Sequence, residues 1–167
     1  MEHILLKINK LLVYDLDETI ITSSHRQCFK PDGTLDLEHW RENCTPEMIA
    51  KDKLLPLANH MRQSFYQRGT FVTICTSRVM QKADWQYLNR NGLNFHYAMH
   101  RQCPTVTTGC ADLKKGQILD LLFKLGIPAH RHQFVVHLYD DHVGVLNMSR
   151  SLGFNTYDSI TLNKRMA

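Results

Sequence analysis

The sequence predicts an α/β fold in which helices cover both faces of a parallel sheet, a three-layer doubly wound arrangement. Two observations support this prediction. Short apolar runs typical of buried strands alternate with longer segments whose apolar residues recur at helical spacing. The first run, residues 11–14, is apolar at every position, as expected of a central strand covered on both faces. The length of 167 residues, with 43% hydrophobic residues, suits one domain, predicted to span residues 1–167.

The other elements follow in order along the chain. Further strands are predicted at residues 71–75, 95–99, 134–139 and 154–157. Helices are predicted at residues 54–65, 80–91, 111–125 and 143–152. Gly69 and Gly126 follow two of these helices at the positions where glycine commonly ends a helix. Strands that alternate with helices in this way predict a parallel sheet.

Residues 22–53 carry mixed signals. Pro31-Asp32-Gly33 is typical of a turn, and Thr45-Pro46-Glu47 resembles the start of a helix. We therefore predict a small insertion over the end of the first strand, and no large cap domain. A site with so small a cover is open to bulky substrates.

Polar side chains follow three of the predicted strands at the point where each strand ends. They are Asp15 and Asp17, then Thr76, Ser77 and Arg78, and finally Asp140 and Asp141. Because the carboxyl ends of parallel strands lie along one edge of the sheet, these side chains should converge there. Four carboxylates at one place raise one another's pKa unless a cation compensates them. The sequence therefore predicts a divalent cation at this edge, and an all-oxygen ligand set favours Mg²⁺.

Such a site is suited to phosphoryl transfer, in which positioning and charge neutralisation supply most of the catalysis. A carboxylate beside the metal can attack phosphorus and form an aspartyl-phosphate. A second carboxyl can protonate the leaving oxygen and later activate water. The paired aspartates at the end of the first strand provide both groups.

The order of these residues resembles the four motifs of the haloacid dehalogenase superfamily. Asp15-Leu16-Asp17-Glu18-Thr19, Thr76, a lysine at a helix start and Asp140-Asp141 appear in that order over nearly the whole chain. The resemblance implies that Asp15 is the nucleophile of a phosphatase and Asp17 its general acid and base. It further implies that Thr76 and a lysine contact the phosphoryl oxygens.

The resemblance also implies the ligands of the metal. They would be Asp15, the backbone carbonyl of Asp17, Asp140 and Asp141. The cofactor implied is Mg²⁺.

Two adjacent lysines compete for the lysine position of the pattern. Lys115 stands three residues before Ile118, an apolar residue of the helical stripe, and this spacing matches the superfamily better than that of Lys114. Lys114 would then be a solvated helix lysine. We therefore predict that Lys115 contacts the phosphate.

A narrower resemblance is to the phosphatase domain of bacteriophage-type polynucleotide kinase/3′-phosphatases. Arg26, soon after the first motif, and Arg78, two residues after Thr76, match two arginines of that group. Guanidinium groups bind phosphate bidentately, so both are predicted to bind substrate, with a surface arginine as the alternative for Arg26. The substrates implied are DNA or RNA 3′-phosphate ends, or nucleotides. No Gly-x-x-x-x-Gly-Lys-[Ser/Thr] loop occurs, so no kinase activity is expected.

Glu18 departs from the superfamily pattern, which usually has glycine between Asp17 and Thr19. The resulting Asp-Leu-Asp-Glu-Thr is similar to the carboxy-terminal-domain phosphatases, which act on phosphoserine in peptides. Phosphoproteins and small metabolites therefore stay open as substrates. A binding module that kept the fold without catalysis is the alternative of a different class.

Other residues have structural interpretations beside functional ones. His96, His100, Cys103 and Cys110 lie close in sequence but fit no closed structural zinc pattern, so an ordinary loop is the better interpretation. Trp40, in the insertion, is a better candidate for stacking on a nucleobase than Trp85, which lies in a helical stripe.

Composition bears on partners and location. The formal net charge of +4 favours anionic partners such as phosphates or nucleic acid without specifying one. The five cysteines are scattered without a Cys-x-x-Cys, which favours reduced thiols. Lys7 interrupts the apolar run at residues 4–6, so neither a signal peptide nor a membrane span is expected. The prediction is a cytoplasmic protein that does not bind membranes.

Overall fold

The computed structural model describes residues 7–167 and confirms the three-layer fold; residues 1–6, with their apolar run, lie outside the described residues. The strands are β1 (Lys10–Tyr14), β2 (Ile21–Thr22), β3 (Lys53–Leu54), β4 (Thr70–Val79), β5 (Tyr97–Arg101), β6 (Val136–Asp140) and β7 (Asn155–Asp158). The helices are α1 (Leu37–Glu42), α2 (Pro46–Ile49), α3 (Leu57–Phe65), α4 (Lys82–Arg90), α5 (Cys110–Lys124), α6 (His132–Val135), α7 (Val143–Ser151) and α8 (Ser159–Met166). Within the described part of the chain, no helix has the length and apolar character needed to cross a bilayer.

Five strands form one parallel sheet in the order β5-β4-β1-β6-β7. Side chains of the central strand β1 alternate between its faces. Leu12 and Tyr14 belong to one buried cluster, with residues of α3 and α4. Leu11 and Val13 belong to a second cluster on the other face, with residues of α5 and α7. Helices therefore cover both faces of the sheet, as the uninterrupted apolar run of β1 predicts.

Three tyrosines on neighbouring strands stack next to the strand ends that carry the predicted site. The ring centroids of Tyr14 and Tyr139 lie 4.7 Å apart, as do those of Tyr139 and Tyr157. Tyr14 and Tyr139 immediately precede Asp15 and Asp140, so their stacking on one face fixes the backbone that presents the two carboxylates.

Several elements begin or end elsewhere than predicted, for local reasons. β5 starts at Tyr97; just before it, the ring of His96 accepts a hydrogen bond from the Val72 backbone at 2.9 Å, and the His96 backbone donates to the Val72 carbonyl at 2.8 Å. β6 starts at Val136 because the preceding residues form the short helix α6. β4 extends to Val79, and its register with β5 shifts after Cys75.

The insertion lies between β2 and β3, which pair in antiparallel fashion. The Asp36 carboxylate caps α1 by accepting hydrogen bonds from two backbone N–H groups at 3.1 Å, and Thr45 caps α2. The helix α8 was not predicted, although Asp158 caps it in the same way as Asp36 caps α1. These caps let short segments with little core of their own form helices.

Candidate active site

Three of the predicted metal ligands converge at the carboxyl edge of the sheet. Asp15 follows β1, Asp140 ends β6, and Asp141 comes next; one carboxylate oxygen of each lies within 4.8 Å of the others. Asp15 is 6% exposed and Asp140 is 1% exposed. An all-oxygen cluster at this spacing has the donor chemistry of a Mg²⁺ site. The residues present therefore fit the predicted ion.

Lys114, and not Lys115, is the lysine of this site. The Lys114 ammonium donates hydrogen bonds to Asp15 at 2.8 Å and to Asp140 at 2.7 Å, and its side chain is buried. Lys115 is exposed to solvent, so the prediction that favoured it is wrong. Lys114 lies one turn before Ile118 on the buried face of α5, and its long side chain reaches along that face to the sheet edge.

The charges of this cluster do not balance without an added cation. Burial and the nearby Asp140 raise the pKa of Asp15 well above its usual range, although Lys114 opposes them. Burial and Asp140 also raise the pKa of Asp141, to about 6. Burial lowers the pKa of Lys114, but Asp15 and Asp140 outweigh it and keep the ammonium charged. One lysine cannot neutralise three carboxylates, so a divalent cation would allow all three to ionise.

Thr76 lies at the same edge of the sheet and is buried. It stands two residues beyond Ile74, which pairs with Tyr14 at the end of β1. Its hydroxyl oxygen accepts a hydrogen bond from the Arg78 backbone at 3.2 Å, which leaves the hydroxyl proton free to donate. Thr76 is therefore placed to donate to an anion held beside Asp15.

The carboxylate of Asp17 lies outside the cluster and is held by Arg78. Arg78 donates to its two oxygens at 3.2 and 2.5 Å, and the Ser23 hydroxyl donates at 2.6 Å. Burial would raise the pKa of Asp17, but Arg78 and Ser23 together lower it. The predicted metal contact of Asp17 involves its backbone carbonyl. The side-chain contacts do not bear on that prediction.

Arg26 does not point into the site. It is 1% exposed, and its guanidinium donates to both oxygens of Asp52 at 2.9 and 2.8 Å. Its carbon Cζ lies 4.3 Å from the ring centroid of Trp40. The prediction that Arg26 binds substrate is therefore wrong for this structure. The residue instead ties the two ends of the insertion together.

Arg78 is also engaged with carboxylates, because it donates to Asp84 as well as to Asp17. Unlike Arg26, it borders a cavity beside Asp17, so its contact with substrate stays a prediction. Its bonds to Asp17 fix the orientation of the predicted proton donor.

Glu18 takes a conformation that explains why glycine is usual at its position. Its φ of 57° lies in the left-handed region, which costs a side-chain-bearing residue roughly 1–2 kcal/mol. The Glu18 carboxylate accepts hydrogen bonds from Thr22 Oγ1 at 3.0 Å and from the Ser23 backbone at 3.2 Å. Glu18 thus stabilises the turn that presents Ser23 to Asp17.

A cavity of about 430 Å³, here called the side cavity, opens beside Asp17. The insertion contributes Leu35, Leu37 and Trp40 to its walls, and β4 contributes Val79. The segment after β5 contributes Pro104 and Val106. The cavity is thus bounded on one side by a carboxylate of the site, and its other walls are mostly apolar, with the guanidinium groups of Arg41, Arg78 and Arg101 among them.

Among residues 7–167, the aspartate cluster is the only group of three or more His, Cys, Asp or Glu side chains close enough to hold a metal. His96 packs between Phe65 and Phe71, and His100 contacts the edge of Trp85. These contacts are those of packed side chains.

A comparison with protein families decides the relationship. Residues 1–167 match the family described as bacteriophage T5 5′-deoxynucleotidase. The chain belongs to this family. It is 32% identical over 169 residues to the 5′-deoxynucleotidase of Escherichia phage T5, covering 93% of this chain and 69% of that protein.

Solved structures share the fold of this family member. One chain of the Pnkp1/Rnl/Hen1 RNA repair complex matches with a TM-score of 0.63 and 19% identity. The match covers 95% of the chain described here but only 46% of the chain in the complex. A haloacid dehalogenase-like hydrolase from Streptococcus pneumoniae has a TM-score of 0.63 and 11% identity, covering 93% of this chain and 90% of that chain. A haloacid dehalogenase-superfamily hydrolase from Geobacter sulfurreducens has a TM-score of 0.60 and 13% identity, covering 89% of this chain and 88% of that chain.

These relationships confirm the resemblance found in the sequence. The chain is a phosphatase, and hydrolysis of phosphomonoesters is its reaction class. Its fold is shared with haloacid dehalogenase-like hydrolases.

Replacing Arg26 with Met should lower the free energy of unfolding of this phosphatase by about 3 kcal/mol, because the buried Asp52 carboxylate would lose its two hydrogen bonds from Arg26. The matched control is Arg41→Met, which removes an exposed arginine from α1. It should change stability by less than about 0.5 kcal/mol. Urea unfolding measures both, and equal losses would contradict the supporting role of Arg26.

The raised pKa of Asp141 predicts that the metal-free protein loses stability as the pH rises. The folded carboxyl keeps its proton up to a pKa of about 6, whereas an unfolded aspartate releases it near about pH 4. Between these values the folded state binds more protons, so the free energy of unfolding falls with rising pH, by at most about 3 kcal/mol. Asp15 acts in the same direction.

Chemical denaturation with a chelator at several pH values measures this loss. Asp141→Asn should remove part of the slope, and Mg²⁺ should restore stability at neutral pH. A metal-free stability that rises between about pH 4 and pH 6 would contradict the assignment of raised pKa values to this cluster.

Proposed function

We propose that this protein is a Mg²⁺-dependent phosphatase that hydrolyses deoxynucleoside 5′-monophosphates through an aspartyl-phosphate on Asp15. One observation carries the proposal: Asp15 lies in a buried oxygen cluster with Lys114, while Asp17 borders a cavity of about 430 Å³. The printed name of the phage T5 relative, 5′-deoxynucleotidase, supports the choice of substrate.

Asp15 acts as the nucleophile. One of its carboxylate oxygens attacks phosphorus, and the bond from phosphorus to the 5′-oxygen of the nucleoside breaks. Lys114 and the hydroxyl of Thr76 donate to the phosphoryl oxygens, where negative charge is concentrated in the transition state. When Mg²⁺ is bound by Asp15, Asp140 and Asp141, it supplies charge neutralisation for the phosphoryl group.

Asp17 transfers protons on the opposite side of the reaction. It protonates the departing 5′-oxygen, and the resulting carboxylate then accepts a proton from the water that hydrolyses the aspartyl-phosphate. Arg78 lowers the pKa of Asp17 in the free protein, which favours the carboxylate. The dianionic phosphate of the substrate raises this pKa on binding, because a nearby negative charge favours the protonated form. Arg78 and Ser23 keep the carboxyl oriented in both steps.

A substrate panel tests the proposal. It compares deoxynucleoside and ribonucleoside 5′-monophosphates, 3′-phosphorylated oligonucleotides, phosphopeptides and sugar phosphates, with Mg²⁺ and with a chelator. We expect the highest kcat/KM for deoxynucleoside 5′-monophosphates and loss of activity in chelator. A preference for 3′-phosphorylated ends or phosphopeptides would contradict the proposed substrate. No turnover of any compound with any divalent metal would favour a binding module.

We further propose that the protein acts in the cytoplasm. All five cysteines are free thiols in the structure, and such thiols persist in a reducing compartment. Fractionation of cells that produce the protein tests this location, and recovery outside the cytoplasm would contradict it.

A further inference from the structure

We propose that the side cavity binds the nucleobase of the substrate, and that it retains the dephosphorylated deoxynucleoside as an inhibitory product. This inference rests on the proposed function. The cavity walls used here are Leu35, Leu37, Trp40, Val79, Pro104 and Val106.

The position of the side cavity relates it to the leaving group. Asp17 borders the cavity, and in the proposed reaction Asp17 protonates the ester oxygen that departs. Whatever is attached to that oxygen therefore extends away from Asp15 and into the cavity.

The chemistry of the walls favours a base over other leaving groups. Apolar side chains and Trp40 form most of the wall, whereas polar groups stand at a few points, namely the amides of Gln27 and Gln81 and the guanidinium groups of Arg41, Arg78 and Arg101. Nucleobases have apolar faces that stack on such walls and polar edges that accept or donate hydrogen bonds. A sugar phosphate without a base would leave the apolar walls in contact with water. The volume of about 430 Å³ falls within the range of about 300–1,000 Å³ that is common for small-molecule pockets.

Both sides of the side cavity are fixed before substrate arrives. On the insertion side, Arg26 and Arg78 lie 4.3 and 5.5 Å from the ring centroid of Trp40. On the other side, Arg101 donates to the backbone of Val106 at 2.6 Å and of Ser77 at 3.0 Å. Because these contacts orient the walls without ligand, little ordering is left to occur on binding. A preformed pocket of this kind binds the deoxynucleoside even after phosphate has left.

A comparison of two substrates tests the proposal by kinetics. One is a deoxynucleoside 5′-monophosphate, and the other is 2-deoxyribose 5-phosphate, which lacks only the base. Leu35→Ala and Val106→Trp, which remove a wall contact and fill the cavity, should each lower kcat/KM for the nucleotide about tenfold. Both should leave kcat/KM for the sugar phosphate within about twofold. The matched control is Phe29→Ala, which alters a 60% exposed apolar residue of the insertion and should affect neither substrate.

Product binding gives a second readout that needs no turnover. The deoxynucleoside should inhibit competitively and quench the fluorescence of Trp40, and Trp40→Phe should abolish the quenching; deoxyribose should do neither. Equal losses for both substrates in the wall variants, or no inhibition by the deoxynucleoside, would overturn the proposal. If the wild-type protein hydrolyses both substrates equally well, the proposed base site is contradicted, whereas the proposed phosphatase activity is supported. If it hydrolyses neither, the proposed function fails, and quenching alone decides whether the cavity binds the deoxynucleoside.

Discussion

Replacing Asp15 with Asn should lower Mg²⁺-dependent phosphate release by at least about 10³-fold, because an amide cannot attack phosphorus. The substitution keeps the shape of the side chain and an oxygen that accepts from Lys114, so the fold should persist. Phosphate release from an aryl phosphate and from a deoxynucleoside 5′-monophosphate measures the loss, and circular dichroism checks the fold.

The matched control for this variant is Asp120→Asn on α5. Asp120 is exposed, and its carboxylate pairs with Lys124 one turn away. Its removal should leave phosphate release within about twofold, because exposed ion pairs contribute little. Retention of more than about a tenth of the activity by Asp15→Asn would show that another group attacks phosphorus.

Replacing Lys114 with Met should lower phosphate release by at least about 10²-fold, since the phosphoryl oxygens would lose a charged donor. In the absence of metal it should also lower the free energy of unfolding by about 3 kcal/mol, because two buried carboxylates would lose their shared cation. Mg²⁺ should restore part of the stability but little of the activity. Steady-state kinetics and urea unfolding, each with and without Mg²⁺, measure the two effects.

Lys115→Met is the matched control, because it changes the adjacent, exposed lysine of the same helix. It should leave both activity and stability close to those of the wild-type protein. If Lys115→Met lost activity while Lys114→Met kept it, the arrangement of the site described above would be wrong.

The two lysines show which features of this site can be predicted from the sequence and which cannot. The helical period of α5 is clear from the sequence, but both lysines lie near the edge of its apolar stripe. A lysine on the buried face of a helix cannot be distinguished from a solvated lysine until its partners are known. Asp15 and Asp140 are 99 and 26 residues from Lys114 in the chain. Only the folded sheet edge shows that Lys114 has two buried carboxylates to neutralise.

Arg26 was misassigned for a related reason. Its position soon after the first motif was recognised, but its partner Asp52 lies at the other end of the insertion, and no local pattern connects the two. Burial of an ion pair across a loop is a tertiary property. By contrast, Asp15, Asp140 and Asp141 were placed together correctly, because strand ends in a parallel sheet must meet.

The side cavity could not be predicted at all. Leu35 and Trp40 of the insertion meet Pro104 and Val106 of the segment after β5 only once the chain has folded. Neither segment has a regular period; Trp40 stood out as a candidate for stacking on a nucleobase, but nothing in the sequence connected it with residues 104–106. Glu18 is a milder case: the departure from glycine was visible, but its role required the backbone angle and the hydrogen bonds to the following turn.

Trapping of the phosphorylated protein tests the central claim most directly. The protein is mixed briefly with a deoxynucleoside 5′-monophosphate that carries radiolabelled phosphate, in Mg²⁺, and the reaction is stopped with acid. We predict acid-stable label on the wild-type chain that hydroxylamine removes and that maps to the peptide containing Asp15, with no label on Asp15→Asn. Full turnover without label on the wild-type protein, or equal label on Asp15→Asn, would contradict an aspartyl-phosphate on Asp15.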